Sequence, residues 1–295
     1  MEGLDQARVR RAFARRGRAA DGCGAPLVEQ TGAELLDRLA PVRIEPAIVI
    51  DAGCGSGGLT RGLGRLYRRA DVVGIDFAAE LLPAVRSRRL FGRRLLAAGG
   101  DMRRLPFADA SVDLVVSNLA LPWVDDLPQV FREWRRVLRP EGVLMFSAFG
   151  PDSLAELRAA WREVDDRRHV NEFPDMHDIG DAMLDAGLRD PVMDVDRVTE
   201  HYTGLEALLR GVRAVGVVNA QPDRRRGLIG RGTWQRLESA YPWAADAGAR
   251  PVSWEVVYGH AWGAAQARSG HGNAREFHVP IDSIGRNATK KDKGQ

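Results

Sequence analysis

The sequence predicts an α/β fold with a mostly parallel sheet and helices on both of its faces. Three observations predict it. Between residues 46 and 150, short apolar runs alternate with stretches whose apolar residues recur at helical spacing, as βαβ units require. A glycine-rich turn, Asp51-Ala52-Gly53-Cys54-Gly55-Ser56-Gly57, joins the first apolar run to the first of those helices. The second run ends on an acid, Asp76, about 20 residues further on.

The elements follow in order. Residues 1–45 read as an amphipathic, arginine-rich helical cap, with Val9, Phe13, Leu35, Leu36 and Leu39 as anchors, placed either on the sheet or over the glycine turn. Ala47 to Ile50 is a buried strand, and Leu59, Leu63 and Leu66 mark the helix after the turn. Strands are expected at Asp71–Asp76, Ser111–Ser117 and Val143–Ser147, with a helix at Asp126–Leu138 that the Arg139-Pro140-Glu141-Gly142 turn ends. Residues 46–150 thus form the core domain. Residues 151–263 mix helical patterns (Leu154–Val164, Asp178–Ala186, Leu205–Val215) with strand-like runs near 192 and 252, a lid and the C-terminal part of the fold. Residues 264–295, rich in Gly, Arg, His and Lys, read as a flexible tail with one short strand at Glu276–Ile281.

Composition excludes several classes. A chain of 295 residues buries one good-sized core, and its 44% hydrophobic and 28% charged residues are those of an ordinary globular protein. No run approaches the roughly 20 apolar residues of a membrane span, and Met1–Arg18 has no signal-peptide centre, so the expected address is the cytoplasm. Cys23 and Cys54 are too few for a disulfide framework, and neither they nor His177, His201 and His260 have metal-ligand spacing. Lysine occurs only at 290, 291 and 293, which removes any P-loop or Schiff-base lysine from the globular part. A net charge of +3 does not argue for nucleic acid.

Gly53, Gly55 and Gly57 let the turn close tightly and bring backbone near a ligand, and Asp76 can accept hydrogen bonds from two ribose hydroxyls. Gly53, Gly55 and Gly58 also satisfy G-x-G-x-x-G, so a nicotinamide has to be weighed. Asp51 decides against it: a carboxylate there repels a pyrophosphate but suits the sulfonium and amino groups of S-adenosylmethionine. Gly100-Asp101-Met102, ahead of Leu105-Pro106-Phe107, adds an acid for an adenine amino group, and Ser117-Asn118-Leu119-Ala120-Leu121 completes the series. Together these resemble the class I methyltransferase pattern, which implies a Rossmann-like fold with a helical lid insertion. The implied cofactor residues are Asp51, Gly53, Gly55, Gly57, Asp76, Phe77, Asp101, Met102, Asn118 and Leu119.

Three further stretches narrow the resemblance. They are Ser117–Trp123 with Phe131–Pro140, Phe146–Trp161, and His169-Val170-Asn171-Glu172-Phe173 with Asp175–Ala182. Over about residues 8–263 the chain resembles the malonyl-acyl-carrier-protein O-methyltransferases of biotin synthesis. It departs from them at Pro122, where a glutamine is usual, at Ala20-Asp21-Gly22, where a tyrosine is expected, and at Glu141 in place of a glycine. The resemblance implies methyl transfer to the free carboxylate of a malonyl thioester on acyl carrier protein or coenzyme A. Such a carboxylate is already ionised at neutral pH and needs no general base. Its clamp should be cationic, which singles out Arg158, with His169 and Asn171 as polar neighbours and Trp123 and Trp161 as pocket walls. An acidic carrier protein calls for a basic docking face, for which Arg210, Arg213, the Arg224-Arg225-Arg226 run and Arg231 are candidates. The alternatives are another class I methyltransferase acting on a small molecule or a protein arginine, as in the related complex I assembly factors, and an assembly factor of low activity.

Overall fold

The structure is a computed structural model that describes residues 4–18, 25–85, 95–222, 224, 227, 229–244 and 248–263. Cys23, the departure at residues 20–22, Arg225, Arg226 and the tail with its expected strand lie outside the described residues. Two N-terminal helices come first, α1 (Gln6–Arg18) and α2 (Pro26–Leu39). Then β1 (Ile48–Ala52), α3 (Gly58–Leu66), β2 (Asp71–Asp76), β3 (Leu95–Gly99) and β4 (Val112–Asn118) build one half of the sheet. The other half comprises α4 (Leu127–Val137), β5 (Leu138–Phe149), α5 (Ala155–Arg162), α6 (Met176–Asp185), β6 (Arg189–Tyr202), α7 (Leu205–Val215), α8 (Arg231–Ala240) and β7 (Arg250–Trp262). No helix among the described residues is long and apolar enough to cross a membrane.

The seven strands are ordered β3-β2-β1-β4-β5-β7-β6. The first five run parallel, while β7 is antiparallel to both of its neighbours. The order reverses between β1 and β4, and a crevice outside the carboxyl ends of strands at such a switch point is where open α/β sheets bind ligands. Strand alternation divides the core. Val143, Met145 and Phe149 of β5 face one side with Leu35 and Leu39 of α2, Leu63 of α3, Leu157 of α5 and Leu208 of α7. Leu144, Phe146 and Ala148 face the other, against Val130, Phe131 and Trp134 of α4 and Ile179 and Met183 of α6.

Local chemistry sets the ends of several helices. Asp126 caps α4 by accepting the Gln129 N–H, Asp175 caps α6 through His177 N–H, and Gly216 at φ 105° ends α7. Three features differ from the sequence-based expectation. β3 was not anticipated because Leu-Leu-Ala-Ala-Gly lacks the β-branched residues and alternation that mark a strand. α8 was missed because only Leu237 is buried along it. β5 begins directly at Leu138 rather than after a turn, with Glu141 at φ 63° inside it where the family glycine was expected.

Candidate active site

A cavity of about 390 Å³ lies over the carboxyl ends of β1, β2 and β4. Its floor is the glycine turn, whose Gly53 and Cys54 N–H groups both donate to Ile75 O, at 2.8 and 3.1 Å. Gly53 sits at φ 80°, and a Cβ there would lie 2.3 Å from that of Ala120, so this position admits only glycine. Gly55, at φ 52°, opens on free space, and its N–H donates to Asp76 Oδ2 at 2.8 Å while Ala78 N–H donates to Oδ1. Gly57 stands off the cavity as the N-cap of α3, against Val85.

Asp51 is the electrostatic centre. It is 1% exposed, it lines the cavity, and it accepts the Thr60 hydroxyl at 2.6 Å. Burial raises its carboxyl to a pKa of about 7, with the Asp76 charge adding to the effect and the Thr60 hydrogen bond opposing it. No ion pair to a described residue neutralises it, so a cationic ligand group would meet an unmatched buried acid. Such a floor fits the sulfonium and ammonium of S-adenosylmethionine and rejects a pyrophosphate.

The other walls extend the match. Phe77, Met102, Asn118 and Leu119 line the cavity, and Asp76, Phe77 and Met102 also line a small adjoining recess with Asp101 and Arg103. Arg103 grips both Asp101 oxygens, at 2.7 and 3.0 Å, and its hydrogen bonds hold that carboxyl below the ordinary range. Asn118 fastens the cap: its Nδ2 donates to Val28 O of α2 at 2.9 Å, and its Oδ1 accepts from Ser147 Oγ at 2.7 Å. Leu119, at φ 51°, is a strained residue held by N–H donation to Ser147. The cap forms the roof. Phe13 of α1 packs edge-on against Phe77 (5.6 Å) and Trp123 (5.7 Å), and Val28, Glu29, Gly32, Ala33 and Leu36 of α2 line the side wall.

The residues singled out for substrate handling do not line this cavity. Arg158 does not line the cavity; its half-buried guanidinium donates to Pro151 O and Ser153 O, at 3.0 and 3.1 Å, and braces the loop after β5. His169 stacks flat on Trp161, with ring centroids 3.6 Å apart, and pairs with Asp165 at 2.7 Å. Asn171, 1% exposed, clasps the 218–220 loop through Val218 O and Ala220 N–H. Of the two tryptophans, Trp123 lines the cavity and Trp161 does not. Among the described residues, the arginines that line the main cavity are Arg61 and Arg65 of α3, which were not among the expected site residues. Their i,i+4 spacing was visible in the sequence, but only the packing of α2 on α3 turns that face toward a cavity. Arg224, expected on the docking face, has a side chain 10% exposed and is engaged by Asp5 at 2.8 Å. Arg210 pairs with Glu206 on the surface.

Sheet order, glycine turn and buried acid together define a class I methyltransferase, and a model described as "Methyltransferase domain" matches residues 50–146. Relatives narrow the class. The chain is 45% identical to the malonyl-[acyl-carrier protein] O-methyltransferase of Halorhodospira halophila, with 89% of each chain covered. It is 44% identical to the protein of that name from a Methylovorus species, covering 88% of this chain and 89% of the relative. The chain belongs to the malonyl-[acyl-carrier protein] O-methyltransferase family. Solved structures agree on the fold: a methyltransferase from Bacillus halodurans has a TM-score of 0.58 at 16% identity, covering 80% of this chain and all of its own. The YcgJ protein of Bacillus subtilis has a TM-score of 0.57 at 13% identity, covering 79% and 100%.

Proposed function

We propose that this chain transfers a methyl group from S-adenosylmethionine to the free carboxylate of a malonyl thioester. Malonyl-acyl carrier protein is the intended acceptor, with malonyl-coenzyme A as the alternative carrier, and the methyl ester would start the pimeloyl chain of biotin. The observation that carries the donor half is Asp51, an unmatched buried carboxylate beside a cavity of suitable size. Family membership supports the acceptor half.

S-adenosylmethionine supplies an electrophilic methyl group on a positively charged sulfur. In this reading Asp51 holds the positive end, Asp76 accepts from the ribose hydroxyls, and Asp101, kept ionised and oriented by Arg103, faces the adenine amino group. Gly53, Gly55 and Gly57 shape the turn, Phe77 and Met102 flank the base, and Asn118 and Leu119 border the reacting end. Phe13 and Trp123 close the roof and exclude water, which strengthens every charge interaction beneath them. The attacking carboxylate needs orientation and desolvation rather than deprotonation, so the protein contributes proximity at about 3 Å. Arg61 and Arg65 replace Arg158 as the cationic groups for a carboxylate, since they border the cavity and Arg158 does not.

The test is mass detection of a methyl ester after incubating the chain with S-adenosylmethionine and malonyl-acyl carrier protein. Methyl transfer to an unrelated acceptor, with none to malonyl thioester, would sink the reading.

A further inference from the structure

The outward face of α1 carries arginines and no acids. Val9, fully buried, and Phe13 point inward, and Arg8, Arg11 and Arg15 fall on the opposite face at helical spacing. A fourth guanidinium stands close by: Arg224 is held at the start of α1 by Asp5 at 2.8 Å, while Arg8 donates to Asn219 O at 2.7 Å. The charges are close enough to disfavour one another. Burial and then the positive charges of Arg224, Arg11 and Arg15 lower the Arg8 pKa, with Asp5 the one opposing acid. Gathering like charges costs stability unless a partner of opposite charge relieves it. The face also lies beside an opening. A second cavity, of about 300 Å³, is lined by Leu4, Pro122, Asp125, Arg168, Glu172 and Gln221, and the turn Leu121–Trp123 contributes Leu121 and Pro122 to it and Trp123 to the main cavity.

We propose that Arg8, Arg11 and Arg15 of α1 form the docking surface for an acidic carrier protein, whose acyl arm enters by the neighbouring second cavity. The proposal rests on the reading that the acceptor is protein-borne. It moves docking from α7, where Arg210 is paired with Glu206, to α1, whose Arg11 and Arg15 have no ion pair among the described residues. α1 also roofs the main cavity through Phe13, so the partner would settle against the helix that closes over the reaction.

The experiment compares the full chain with an Arg11→Glu/Arg15→Glu variant, both residues being exposed, and with an Arg210→Glu/Arg213→Glu control. Acceptors are malonyl-acyl carrier protein and malonyl-N-acetylcysteamine, which carries no protein. The α1 variant should raise KM for the carrier-protein substrate at least tenfold at low salt and flatten its salt dependence, with kcat and KM for the small thioester unchanged. An unchanged KM for the carrier-protein substrate, an equal rise for both acceptors, or an effect confined to the α7 control would overturn the proposal. Binding of fluorescently labelled malonyl-acyl carrier protein, measured by anisotropy, separates this from failure of the methylation reading. Should the chain methylate neither acceptor, binding that the α1 variant weakens still upholds the docking face, and binding it leaves unchanged rejects it.

Discussion

At the scale of single residues, Asp51 links sequence, burial and function. Its acid was legible beside the glycine turn, but its altered chemistry was not, because the pKa of about 7 comes from neighbours that exclude water. The sign follows. A carboxyl whose folded pKa lies above its unfolded 3.8 favours the folded state fully below that value and loses this contribution as pH rises toward about 7. A cationic ligand needs the ionised form, so affinity for S-adenosylmethionine should fall as pH drops through about 7, approaching tenfold per unit below it. Calorimetric titration between acid and alkaline buffers measures this, and Asp51→Asn should bind weakly with a flat profile. Arg158 makes the contrary case. Two carbonyl contacts make it a brace, so Arg158→Ala should cost about 1–3 kcal/mol of stability in denaturant titration. The KM for malonyl substrate should stay the same; a large rise would return Arg158 to the site.

Among elements, the glycine turn and β1, β2 and β4 could be read from short-range pattern, since a buried strand, a tight turn and a helix each need only local residues. The roof could not. α1 was recognisable as amphipathic, yet whether it lay on the sheet or over the cavity depended on contacts such as Phe13 with Phe77, 64 positions away in sequence, and Gln6 with Trp123 O. An edge-on aromatic pair contributes about 0.5–1.5 kcal/mol beyond area burial, and Phe13 makes two. Phe13→Ala should therefore lower cofactor affinity about tenfold in a fluorescence or calorimetric titration while the sheet core stays intact. Unchanged affinity would show that α1 is only an external support. His169 and Asn171 illustrate the same limit: that one stacks on Trp161 and the other clasps the 218–220 loop is invisible in their own segment.

For the whole molecule, the cavity draws its walls from α1, α2, the glycine turn, α3, the ends of β2 and β4, and Val215 of α7. A ligand seated there binds the folded form alone. At about 100 times its Kd it should add about 2.7 kcal/mol and raise Tm by roughly 5–10 °C. Differential scanning calorimetry with S-adenosylhomocysteine checks this, and no shift would mean that the cavity is not the cofactor site. The sequence by itself determined the layered α/β core, the glycine turn, the acids at 51, 76 and 101, and the family resemblance. Each of these is written in neighbouring residues or in the two-residue and 3.6-residue periods of strand and helix. Only the tertiary structure decided which arginines meet the cavity, that Arg158 and Arg224 are engaged elsewhere, and that α1 is a roof with a charged outer face. Those outcomes depend on which distant surfaces pack together, and a side chain's partners across the fold leave no periodic trace in its own segment.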